Sequence, residues 1–328
     1  MMHKISYTLA ALALSVALDG GVQADGNSSG KAASDMHVVP AGTVITPASA
    51  AIIAQDAYLW GWPLVNAFNR RASFASAPRP GLVGGILPTA PTGYVAMLSD
   101  YISPDQRWVA HPNQDGVYGF GYAAVDDDPV VLQVPDFGDR FWVYALYDAR
   151  SEEFSQVGKQ YGTKPGNYLV VGPNWKGAVP EGITEVIKAP TELVAMGPRV
   201  FMDDSSEDRA AVQKVLNGMS IYPLSTYDGK TKSMNWKDLP HFPAPQKTDK
   251  ETSWVNPEKF FDQLSEVLAK VPPLAGEESR YAMLKALLEA SKDPAIKQAM
   301  LKAAKDVEEQ AISPLFSFRT NGSVLPNG

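Results

Sequence analysis

The chain has 328 residues, 45% of them hydrophobic and 20% charged, with a net charge of −7 and no cysteine. That length and composition suit a globular protein of two or three domains. The acidic balance disfavours a nucleic-acid partner, and the lack of cysteine excludes disulfides, thiol catalysis and thiolate metal sites.

The amino terminus has the pattern of a secretory signal. His3 and Lys4 precede a mostly apolar run over residues 5–18, and Val22-Gln23-Ala24 is a small-x-small cleavage site, giving a signal peptide over 1–24. The run is short for a membrane span. A soluble protein without stable membrane insertion, periplasmic or secreted, is the expectation. Residues 25–45 are Gly-, Ser- and Ala-rich at first and read as a flexible leader.

Thr46-Pro47 is a helix start, with a capping hydroxyl and proline at the first helical position. The helix that follows carries Trp60 and Trp62 about Gly61, is predicted to kink at Pro63, and closes at Arg70-Arg71. Its aromatics are expected to pack on a sheet. Residues 77–93, dense in Pro and Gly, read as loop, and residues 108–110 as a candidate strand.

Residues 117–125 alternate, with Tyr118, Phe120 and Tyr122 on one face and Gly119 and Gly121 on the other. The glycine face calls for a close neighbour. Asp126-Asp127-Asp128-Pro129 reads as a turn into a partner strand at 130–134. Residues 141–148 are apolar on both faces, which predicts a central strand covered on both sides. Strands follow at 168–171, 183–188 and 193–202. Ser205 or Ser206 caps a short helix, and residues 225–253 read as a linker or surface excursion. Three helices are predicted over 254–313, marked by Phe260, Leu264 and Leu268, then Tyr281, Leu284 and Leu287, then Ile296, Met300 and Val307. Residues 314–328 read as the opening strand of a truncated β region.

The pieces AYLWGWPLV, PNQDGVY, PVVLQVPD, RFWVYALYDA, GNYLVVGPNWKG, PEGITEVIKAPT and PRVFMDDSSED, in that order across residues 57–224, resemble the DUF1254 family, usually paired with DUF1214. Its members are bacterial, often exported proteins of unassigned activity. The resemblance implies an immunoglobulin-like antiparallel β-sandwich over 46–224 together with the N-terminal helix, then a small all-α domain, in an α+β multidomain chain. It also implies a jelly-roll region that is nearly absent here. That region is truncated, dispensed with, or supplied as a separate DUF1214-like polypeptide partner. His111 stands where relatives carry a small hydroxyl residue, and Arg150-Ser151 where they carry Tyr-Thr.

Asp115 is the first candidate for chemistry, as a carboxylate next to an aromatic strand that could serve as general acid or base. The plainer reading is an Asx-turn acceptor. Asp148 and Arg199, at strand ends, could pair around a polar ligand or form a structural bridge. Tyr118 and Tyr147 offer rings for a sugar or aromatic ligand, or are core. His111 and Asn113 lie beside Asp115. The histidines lack metal-site spacing, and the Asp126–Asp128 run fits a turn better than a calcium loop. No metal or cofactor is implied. The reading favoured is a small-molecule or glycan binding module using Asn113, His111, Tyr147 and Asp148. The alternative is a metal-independent hydrolase or lyase acting through Asp115, Tyr118 and Arg199.

Overall fold

A computed structural model describes residues 39–40, 42–103, 115–243 and 254–317. Helix α1 spans Pro47–Phe74. The Thr46 hydroxyl accepts the Ser49 amide, and the Ser49 hydroxyl reciprocates toward the Thr46 amide, a closed capping box. The helix continues through Pro63 as one element and ends three residues beyond Arg71.

Residues 77–93 are not all loop. They contain a hairpin of β1 (Gly81–Val83) and β2 (Leu87–Thr89). Gly84 and Gly85, at φ +60° and +73°, make the turn that a two-strand reversal requires. A short strand, β11 (His241–Phe242), joins β1 in parallel and completes a three-stranded sheet.

The main body is two four-stranded sheets. One, in the order β3-β4-β9-β6, is built from β3 (Ala96–Met97), β4 (Gly116–Ala124), β9 (Leu193–Phe201) and β6 (Trp142–Tyr147). The other, in the order β10-β5-β7-β8, is built from β10 (Ser220–Pro223), β5 (Val130–Val134), β7 (Gly166–Val171) and β8 (Ile183–Lys188). Both contribute to one core: Val117, Trp142, Tyr144, Leu146 and Met196 from the first, Val130, Leu132, Val170 and Ile221 from the second.

Three expectations are corrected here. The strand at 130–134 is not the partner of β4, because the acidic turn carries the chain from one sheet to the other. Its carboxylates tie neighbouring loops: Asp126 accepts from the Asn174 amide and side chain, and Asp128 from the Ser225 amide and hydroxyl. The central strand is β9, whereas β6 is covered on both faces but pairs in its sheet with β9 alone. Its outer edge is satisfied by residues 152–158, with Tyr144 N–H donating to the Val157 carbonyl at 2.9 Å. Nor are the sheets wholly antiparallel. β7 and β8 run parallel, since residues 172–182 return the chain to the same end of the sheet.

The glycine face of β4 is crowded as its pattern requires. A Cβ on Gly121 would lie 2.2 Å from the Tyr94 carbonyl oxygen, and one on Gly119 2.1 Å from the Met97 sulfur.

Helix α2 (Ser206–Gly218) is capped by the Ser205 hydroxyl. Asp208 in its first turn forms a two-pronged ion pair with Arg140. Residues 224–243 pack on this body. Trp236 is buried and donates its ring N–H to the Leu216 carbonyl at 2.7 Å, and the Gln133 side chain brackets the backbone of Lys232.

The carboxyl-terminal helices are α3 (Phe260–Lys270), α4 (Glu278–Ala290) and α5 (Pro294–Val307), followed by a π-helical turn (Glu308–Ile312) and α6 (Ser313–Ser317). Residues 313–317 are thus helical where a strand was expected. Proline is tolerated near a helix start, so Pro314 opens α6 and does not end the helical run.

The aromatics of α1 pack chiefly on these helices, not on the sheet. Tyr58 meets Phe260 at 4.4 Å, Trp60 meets Tyr281 at 5.7 Å and Trp62 stacks on Phe316 at 5.3 Å. Gly61 permits the approach of α3: a Cβ there would lie 2.9 Å from Leu264 Cδ1. The Tyr58 hydroxyl and Trp62 ring N–H both donate to Glu308. Burial pushes the Tyr58 phenol up, and the Glu308 carboxylate pushes it the same way. Among the described residues no helix is long and apolar enough to cross a membrane.

Two outcomes follow. Gly121→Ala forces a Cβ into backbone and should cost about 1–3 kcal/mol in urea unfolding. Gly119→Ala, which meets the end of a flexible methionine, should cost less. The hydrogen bond from Arg140 lowers the Asp208 carboxyl to about 2 from an ordinary 3.8. A depressed acid stabilises the fold above its unfolded pKa and loses that contribution as pH falls toward the folded value. The stability gap between wild type and Asp208→Asn, on the order of 1 kcal/mol at neutral pH after solvent screening, should therefore close between about pH 4 and pH 2.

Candidate functional site

The outer face of the β4-β9-β6 sheet carries the residues of interest. Pairing sets Tyr118 opposite Arg199, and Arg199 opposite Val143. Alternation along each strand brings Tyr118, Arg199 and Tyr147 to the same face. Toward one end this face is closed by the helical layer: Phe74 of α1 meets Phe120 at 5.5 Å and Tyr122 at 5.9 Å. Tyr118 and Arg199 lie toward the other end, Tyr147 lies across Ala195 in the row of Tyr122, and all three are half-buried.

The guanidinium of Arg199 sits between the two tyrosines. One terminal nitrogen donates to the Tyr147 hydroxyl at 3.1 Å, and the group lies 5.4 Å from the centre of the Tyr118 ring. Its Nε is buried and has no hydrogen-bond acceptor. Among the described residues no carboxylate pairs with it. Gly197 lies beside the pair, where a Cβ would stand 3.7 Å from the Tyr147 ring and 3.9 Å from an Arg199 terminal nitrogen.

The expected Asp148–Arg199 pair does not form. Asp148 follows Tyr147 on the strand, so the pleat turns it away from that face. It is buried and folds back on its own turn, accepting the amides of Arg150 at 2.8 Å and Glu152 at 3.1 Å. The turn includes Ser151 at φ +66°. Arg150 stands 4.0 Å from the Asp148 carboxylate and then reaches the helical layer, where it donates to the Pro272 carbonyl at 2.6 Å and Glu277 at 3.2 Å. It is a clamp between sheet and helices.

Asp115 is solvent-exposed immediately before β4, and its carbonyl accepts the Met202 amide at 3.3 Å. His111 and Asn113, and the strand expected at 108–110, lie outside the described residues. The structure therefore brings Tyr118, Tyr147 and Arg199 together and leaves Asp148 to a different task.

A second feature has no counterpart in the sequence reading. Between the end of α1 and the β11-β1-β2 sheet lies a cavity of about 310 Å³, with Phe74, Leu87, Phe242 and Trp254 among its walls. The sequence signal for it was the Gly84-Gly85 dipeptide between short apolar runs, which marks a hairpin and hence a third sheet.

The architecture is that of an α+β protein, with two sheets sharing a core and helices from both ends of the chain over one outer face. Residues 92–223 match the model of the family described as "Protein of unknown function (DUF1254)", and the chain carries that DUF1254 region. The matched span covers both four-stranded sheets and begins after α1. No curated protein matches the chain. Among solved structures, the VPA0106 protein from Vibrio parahaemolyticus is similar at 18% identity and a TM-score of 0.43, over 80% of this chain and 67% of that one.

The two arginines should respond differently to replacement. Arg150→Met removes the cation paired with Glu277 and empties the joint between layers, costing about 3 kcal/mol in chemical denaturation. Arg199→Met removes a cation with no counter-charge and should change stability by less than about 1 kcal/mol.

Proposed function

We propose that this protein binds a small molecule bearing an acidic group and a flat face, acidic sugars included, at Arg199 between Tyr118 and Tyr147. One observation carries the reading: Arg199 is half-buried on an aromatic face with no carboxylate partner among the described residues. An arginine kept in that setting is costly, because desolvation of the cation is offset only by a neutral hydroxyl and a ring. A carboxylate or phosphate would complete it through the planar guanidinium fork. The tyrosine rings would then take the apolar or glycosidic face of the ligand.

The acid–base alternative draws no comparable support, since Asp115 is exposed and lacks the burial of a pocket carboxylate. Export to the periplasm or beyond is supported by the amino-terminal pattern of residues 1–24. An immunoglobulin-like ancestry for the two-sheet core is supported by the motif series.

Calorimetric titration tests the site. Glucuronate should bind where glucose does not, and Arg199→Gln should weaken the acid by about tenfold or more. Equal binding of acid and neutral analogues, or acid binding that is indifferent to Arg199→Gln, overturns the proposal.

A further inference from the structure

We propose that the cavity between α1 and the β11-β1-β2 sheet is a second, independent binding site, for an uncharged molecule about the size of two fused rings. The cavity is about 310 Å³. An apolar cavity of roughly 150 Å³ accommodates a single benzene ring, so this one has room for about twice that. The walls Phe74, Val83, Leu87, Phe242, Pro243 and Trp254 are apolar, and none of the described residues that line the cavity carries a formal charge. A charged ligand would lose its hydration there without replacement.

Among the described lining residues the polar side chains are the hydroxyls of Ser73, Ser76 and Thr89. Ser76 donates its own to the Ser73 carbonyl at 2.6 Å. Thr89 is 1% exposed, and its hydroxyl reaches only the Phe74 carbonyl at a long 3.4 Å. That hydroxyl is therefore poorly satisfied for a buried group, and one ligand hydroxyl or N–H at that end of the cavity would correct it.

The walls are braced so that the cavity does not collapse. Phe74 is held from behind by Phe120 and Tyr122. Trp254 lies against the Arg70 guanidinium at 5.2 Å, and its carbonyl accepts the Asn69 side chain at 2.7 Å. Phe242 lies over Gly81, where a Cβ would come within 2.4 Å of its ring, so only glycine lets the ring take that place. Rigid apolar rings hold the shape of the cavity ready for a matching ligand.

The test uses the full chain with indole and 1-naphthalenemethanol as neutral probes. In calorimetry and thermal shift the neutral probes should bind and raise the melting temperature. Leu87→Trp, which fills the cavity, should weaken them about tenfold or more. Ser73→Trp, which fills it from the helix side, gives the same reading should Leu87→Trp fail to fold. Arg199→Gln should leave them unchanged, so this site and the anion site can fail separately. Absence of neutral-probe binding to the wild-type chain, probe binding that survives a folded filling variant, or probe binding that is lost in Arg199→Gln would each overturn the proposal.

Discussion

The β3-β4-β9-β6 sheet has two apolar faces, and water must be kept from both. The inner face meets the second sheet, and the shared core runs from Val95 to Trp236. The outer face needs a different cover, and the chain supplies it from its two ends. Tyr122, Leu193 and Ala149 share one cluster with α1, α3, α4 and α5. Burial of this kind contributes roughly 1.5–3 kcal/mol for each large side chain, so the sheet and the helical layer stabilise each other. The place where that cover stops is where Arg199, Tyr118 and Tyr147 face outward.

The joint between layers is polar as well as apolar. Glu308, at the π-helical turn, accepts from Tyr58 and Trp62 of α1. Arg150 joins the end of β6 to the Pro272 carbonyl and Glu277. These contacts add direction to an otherwise nondirectional apolar interface, because each needs its partner within about 3 Å to offset desolvation. They also separate the two arginines by role. Arg150 holds the layers together through a terminal nitrogen, paired with Glu277 and the Pro272 carbonyl. Arg199 has a hydroxyl and a ring, and among the described residues no carboxylate answers its charge.

Much of the local structure was legible from short-range chemistry. Thr46-Pro47 capped α1, Ser205 capped α2 and Asp293 capped α5, because a side-chain oxygen beside the first turn satisfies amides that no later residue can reach. The aromatic and glycine faces of β4 followed from the period of two. Misreadings arose where a local pattern has more than one long-range use. The acidic turn reads alike whether it joins hairpin partners or passes between sheets, and only the loops at Asn174 and Ser225 distinguish the cases. A strand apolar on both faces reads as central, but β6 lies beside one sheet neighbour and is finished by residues 152–158. The Gly84-Gly85 hairpin could have been read and was obscured by the surrounding prolines.

By itself the sequence determined the caps, the periods and the faces, since these depend on residues within a turn or two of each other. It also brought Tyr118, Tyr147 and Arg199 forward as candidates, but in other groupings: Arg199 with Asp148 or with Asp115 and Tyr118, and Tyr147 with Asn113, His111 and Asp148. The tertiary structure alone decided that Arg199 meets Tyr147 across the sheet, that α1 belongs with the carboxyl-terminal helices, and that a cavity opens beside Phe74. Each of these depends on which surfaces meet across 50 to 250 residues of chain, and a pattern read along one strand or helix carries no record of its partner.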